Sequence, residues 1–152
     1  MRFPRPSRQH LLLGTACLAT LVLAASFGTA APAPPRRVTL TGELVDSWCQ
    51  ATGIMYALGT AHHQCAVWCA AGGVPTSLRA ADGTLYTILR VEKDQANVAN
   101  PRLLSIQTHQ VTVEGDVIER DGLRYLLIDQ VRTDQGIVNH TDAEHGIQPF
   151  GE

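Results

Sequence analysis

Five short runs rich in alternating or β-branched residues, a helical cysteine segment between the first and second, and a proline-broken stretch between the third and fourth predict a mainly β fold. The order strand, long insertion, hairpin, helix, hairpin is that of a small five-stranded OB-like Greek-key barrel. It places a Cys-bearing helix between strands 1 and 2, and a second helix between strands 3 and 4. In that architecture the first inter-strand loop forms one rim of the usual binding face. The insertion therefore sits where a site is expected.

Residues 38–45, Val-Thr-Leu-Thr-Gly-Glu-Leu-Val, alternate as a half-buried strand does, with Gly42 marking a bulge or bend and Glu43 on the solvent face. Residues 111–118, Val-Thr-Val-Glu-Gly-Asp-Val-Ile, repeat the pattern with Gly115 at the same place. Residues 74–80 and 84–90 flank Asp82-Gly83 as a hairpin, and residues 123–131 form the return arm after Asp121-Gly122. Residues 92–105 lack the period of a strand and contain Pro101, so a short helix plus loop is expected, with Val98, Leu103 and Leu104 packing inward.

The flanks carry other information. Residues 1–30 read as an export signal: Arg2, Arg5 and Arg8 make a basic start, residues 11–27 an apolar core, and Gly28-Thr29-Ala30 a small-residue exit. The apolar run falls short of the ~20 residues of a spanning helix, and Cys17 has Gly14 where a lipid-attachment site has an aliphatic residue. The expected location is the periplasm or the exterior, with no stable membrane span after cleavage. Losing three of 12 basic residues and none of 14 acidic ones takes the formal charge from −2 to −5 and leaves 122 of 152 residues. That supports one domain with one modest core, and the acidic balance argues against nucleic acid as a partner. Residues 31–37 form a Pro-rich linker, 38–131 the domain with its Cys/His insertion at 46–73, and 132–152 a polar tail expected to be partly mobile.

The chemistry is concentrated in His62-His63-Gln64-Cys65-Ala66-Val67-Trp68-Cys69-Ala70-Ala71-Gly72-Gly73, together with Cys49 upstream. Thr60 can cap a helix here, and Gly72-Gly73 followed by Pro75 can end it. At about 100° per residue, His62, Cys65 and Cys69 share an arc of roughly 60°, and His63 lies about a quarter turn away. With Cys49 they make four soft or borderline donors, the number a closed tetrahedral site takes. Export leaves three cysteines, an odd set that cannot be fully paired within one chain.

Three uses of these thiols compete. Cys65 and Cys69, with Cβ atoms about 5 to 6 Å apart on one helical turn, cannot form a disulfide without unwinding it, because a bridge needs about 3.5 to 4.5 Å. A Cys49 bridge to either would close a loop worth about 3 kcal/mol of chain entropy and leave one thiol spare, giving a disulfide-stapled interaction domain. In a thiol-disulfide redox module, one cysteine attacks and another resolves. Metal ligation uses all three at once, with His62 as the fourth ligand and copper or zinc as the ion. His63 could replace His62 if the helix begins a residue later, and His140 and His145 in the tail are possible additional ligands. Asp46 could orient a ligating imidazole or cap the turn leaving the strand. Trp48 and Trp68, the only tryptophans, each precede a cysteine and are expected as large core residues or as a water-excluding shell around the thiolates.

Cys-x3-Cys beside a histidine resembles the spacing in copper-delivery proteins of oxidase assembly and in the binuclear copper site of the oxidases, a likeness local to Cys65–Cys69. More broadly, the run Thr41-Gly42-Glu43-Leu44-Val45-Asp46-Ser47-Trp48-Cys49, the pattern His62-x2-Cys65-x3-Cys69-x2-Gly72-Gly73-Val74-Pro75 and Asp82-Gly83-Thr84-Leu85-Tyr86 resemble a group of small exported bacterial proteins of undefined activity. That resemblance implies a shared module spanning most of residues 38–131 and brings no reaction with it. No Gly-x-Ser-x-Gly elbow, phosphate loop or paired catalytic carboxylates are present, so the sequence gives no support for turnover by this chain alone. The expectation is a binding or trafficking protein for copper or zinc, or a support for an envelope redox complex, with another envelope protein as a further partner.

Overall fold

The computed structural model describes residues 33–55, 58–95 and 98–148, so the expected export signal lies outside the described residues. Five strands, β1 (Arg36–Asp46), β2 (Thr76–Ala80), β3 (Leu85–Val91), β4 (Gln110–Arg120) and β5 (Leu123–Asp134), close into a barrel in the order β1-β2-β3-β5-β4. Neighbours are antiparallel except β3 and β5, which run parallel. Closure leaves no open sheet edge. The small OB-like barrel legible in the sequence is the observed fold.

Each strand supplies inward aliphatic side chains at alternate positions: Leu44 from β1, Leu78 from β2, Ile88 from β3, Val113 from β4 and Leu126 from β5 are all fully buried in one cluster. The glycine strands lie closest to their neighbours. A Cβ on Gly42 would meet the Arg79 carbonyl oxygen at 2.3 Å, and one on Gly115 would meet that of Leu127 at 2.1 Å. At Gly115 the approach coincides with a shift in the β4–β5 register, whereas the pairing of β1 runs unbroken through Gly42.

Three helices interrupt the strands: α1 (Ser47–Thr52) and α2 (Gly59–Ala71) between β1 and β2, and α3 (Pro101–Leu104) between β3 and β4. Pro101 opens α3 rather than breaking it. Its missing N–H falls where a helix has no internal acceptor to satisfy, and the Asn100 side chain accepts from Arg102 N and Leu103 N. Leu103 and Ile106 join the barrel core, but Val98, expected to pack inward, is exposed.

The tail departs most from expectation. β5 continues to Asp134, residues Ala143–His145 form a 3-10 turn, and Asn139 to Thr141 bind the start of α2. Thr60 N donates to the Asn139 carbonyl at 2.9 Å, Ala61 N to Thr141 Oγ1 at 3.3 Å, and Thr141 Oγ1 to the Leu58 carbonyl at 3.1 Å. Gly59 N donates to Glu43 Oε1 at 2.7 Å, and Asn139 Nδ2 donates to Glu43 Oε2. Glu43, Asn139 and Thr141 thus satisfy three of the four orphan N–H groups that a helix start leaves, those of Gly59, Thr60 and Ala61. Two expectations are thereby corrected. Thr60 is not the cap of α2, which begins two residues earlier, at Gly59, after Leu58 and without a side-chain cap of its own, and Glu43 is buried rather than facing solvent.

Candidate metal centre

The site is built where β1 ends. Asp46, fully buried, is the N-cap of α1: its Oδ1 accepts from Cys49 N at 2.8 Å, which fixes the cysteine one turn along. Its other oxygen, Oδ2, lies 2.5 Å from His62 Nε2, so the same carboxylate also anchors α2. The sequence left capping and imidazole orientation as alternatives; two oxygens allow both. With Nε2 engaged by the carboxylate, the other ring nitrogen of His62, Nδ1, is buried and has no hydrogen-bond partner among the described residues. A carboxylate-oriented imidazole with its second nitrogen free is the arrangement of a metal-ligating histidine.

α2 lies against β1 and α3. The buried stripe of α2 is His62, Ala66 and Ala70, spaced four apart, and the two small residues let the helix approach closely. Cys65 and Cys69 stand at the edge of that stripe, half-buried, and meet the buried Cys49. All three thiols are free, and their sulfurs lie within 4.8 Å of one another; Cys65 Sγ and Cys69 Sγ are 3.8 Å apart. Two ligands 2.3 Å from a tetrahedral ion stand about 3.8 Å apart, so the pair is already at ligating separation.

The predicted donors thus fall into two overlapping groups that share Cys49: Cys49, Cys65 and Cys69 in one, and Asp46, Cys49 and His62 in the other, each within 4.8 Å. His62 meets the cluster at its Cys49 end. The other histidines go elsewhere. His63 Nδ1 lies 2.9 Å from Thr108 Oγ1 and 3.1 Å from the Gln107 carbonyl, and His140 and His145 are exposed in the tail. Among the described residues none of these three belongs to a group of close donors.

The electrostatics of the cluster disfavour uncompensated thiolates. Burial first, and then the negative charge of Asp46, push the Cys49 thiol up to about 12. Burial likewise raises Cys69, helped by its hydrogen bond with Cys65 and by Asp46. A cation placed among the sulfurs would relieve the same repulsion and reverse the effect. No family model, curated protein or solved structure matches this chain. The chemistry of the site therefore rests on its own geometry: donors of Cys, His and Asp close enough to hold a metal ion, and no disulfide among them.

Both tryptophans correct an expectation. Trp48 is 60% and Trp68 70% exposed, so neither is a core residue. The reason for Trp68 is helical phase: it lies about half a turn from the buried Ala66 and Ala70. One donor escaped the sequence reading altogether. Cys65 donates its S–H to Met55 Sδ at 3.8 Å, and the only signal for it was that the chain has a single methionine besides Met1.

Proposed function

We propose that this chain is an exported metal-binding protein that carries a copper or zinc ion on Cys49, Cys65 and Cys69, with His62 approaching from the Cys49 side and Asp46 orienting it. The observation that carries the reading is the meeting of three free thiols, brought from two helices, at a separation suited to one ion. Export supplies the setting: outside the cytosol such thiols persist when paired or metal-bound. Among the described residues no helix is long and apolar enough to cross a membrane. The role is binding and transfer of the ion within the envelope, with another envelope protein as donor or recipient.

A thiol-disulfide module is the second reading, favoured by the 3.8 Å between Cys65 and Cys69 sulfurs. It needs an attacking thiol with a lowered pKa, a role for which the raised Cys49 and Cys69 are unsuited. Metal analysis of protein isolated from its own compartment, with thiols counted before and after denaturation, separates the readings. The metal reading expects one bound ion per chain and three thiols that become reactive once the protein is unfolded and the ion chelated. Cys49→Ser is expected to abolish the bound metal. Stoichiometric metal surviving that change would sink the proposed ligand set, and one labile disulfide in place of metal would establish the redox module.

A further inference from the structure

Only one side of the sulfur cluster is closed. Cys49 and His62 lie at its buried end, Cys65 and Cys69 are half-buried, and beyond Cys65 stands Met55, 58% exposed, with its Sδ 3.8 Å from Cys65 Sγ. That is the same separation as between Cys65 and Cys69, and again the spacing of two ligands on one tetrahedral ion. The backbone brings the thioether there by an unusual route. Gly53 ends α1 in the left-handed region at φ 68°, and Met55 itself takes φ 59°, a conformation that non-glycine residues rarely adopt. An unbranched apolar side chain is thus held against a thiol in the open rather than buried with the core.

We infer that Met55 is the outermost sulfur donor of the centre and makes it a site for monovalent copper rather than zinc. The inference rests on the metal-binding reading above and deepens it. Thiolate and thioether together form a soft donor set that favours Cu(I), while the ligands of protein-bound Zn(II) are thiolate, imidazole and carboxylate. Because Met55 is the most exposed donor, it is the first that an arriving ion meets and the last that a departing one leaves. A neutral ligand also adds no charge to a cluster whose thiolates already crowd Asp46.

The test compares two ions on the reduced, metal-free protein under anaerobic conditions. Cu(I) is titrated against a chromophoric Cu(I) chelator, and Zn(II) against a chromophoric zinc chelator. Met55→Leu keeps the size of the side chain and the cost of its backbone conformation while removing the sulfur. The expected result is at least tenfold weaker Cu(I) binding with Zn(II) binding changed less than twofold. Equal losses for both ions would make Met55 a structural residue, and unchanged Cu(I) binding would remove it from the centre; either overturns the inference. Selenomethionine labelling provides a direct readout, since X-ray absorption of the Cu(I) form should show a copper–selenium path that Met55→Leu abolishes. Its absence also overturns the inference. Failure of the underlying reading looks different: the Cys49→Ser, Cys65→Ser and Cys69→Ser chains would then bind both ions as the unaltered protein does.

Discussion

The barrel and its insertion obey opposite burial rules. In the barrel the fully buried side chains are aliphatic, Leu44, Leu78, Ile88, Val113 and Leu126, and non-directional burial holds them. In the insertion and at its root the most deeply buried large or polar side chains are Asp46, His62 and Cys49, while Trp48, Ile54, Met55 and Trp68 face outward. Beyond the buried Ala66 and Ala70 of α2, hydrogen bonds hold α1 and α2 in place: Asp46 to Cys49 N and His62, Glu43 to Gly59 N and Asn139, and the tail to the first turn of α2. Directional contacts fix orientation as well as position, which a set of ligands needs and a core does not.

The contrast is broken most directly at Asp46. Asp46→Ala removes the cap of α1 and leaves both ring nitrogens of His62 buried without a partner. The expected loss is about 3–5 kcal/mol, comparable with the ~3 kcal/mol of emptying a core position by Leu78→Ala. Urea unfolding midpoints of the two variants measure this, and the Asp46 variant is further expected to lose its metal while the leucine variant, where folded, retains it. A loss below about 1 kcal/mol for Asp46→Ala would mean that packing holds the insertion after all, and the two regions would then differ in composition only.

How much of this was legible in the sequence follows the same division. The strands of the barrel could be read because alternation is a local signal, and the Asp82-Gly83 turn because Gly83 supplies the left-handed conformation, at φ 83°. The cysteine helix was legible from spacing and from Gly72-Gly73. Glu43 was misread because its partner Asn139 lies 96 residues away, and alternation alone places it on the outer face of β1 without saying what covers that face. The tail was misread for the reciprocal reason, since its hydrogen bonds are made with a helix start more than 75 residues earlier, Thr141 Oγ1 reaching Leu58 across a separation of 83. Trp68 looked like core because large aromatics usually are; only the orientation of α2, set by Ala66 and Ala70, turns it outward.

Glu43 offers a second and smaller perturbation, read through pH. Burial raises its pKa above the ordinary 4.5 despite the donors at Gly59 and Asn139. The native state then holds a proton that the unfolded state has released, so stability falls as pH rises from 4.5 through the native value. Glu43→Gln carries no proton to lose. Its amide oxygen can accept from Gly59 N, and the Asn139 amide can rotate to accept from its nitrogen. The expected change at neutral pH is less than about 1 kcal/mol, but unfolding midpoints from about pH 4 to pH 7 should converge or cross, the unaltered protein gaining on the variant toward acid. Parallel curves would place the carboxylate in a solvated environment and remove the polar anchor between tail and insertion.

The smallest effect belongs to the most conspicuous residue. Trp68 stands 70% exposed on the outer face of α2, so Trp68→Ser removes little buried area and is expected to shift stability by no more than about 0.5 kcal/mol. A core tryptophan would lose about 3–5 kcal/mol on truncation to alanine. The measurement is a pair of thermal melts, with and without metal. Equal melting temperatures for variant and unaltered protein in each pair would show that the outward Trp68 contributes nothing to holding the insertion. A loss near the core value would instead mean that Trp68 packs against a surface, and burial would then have to be restored to the insertion as a stabilising force.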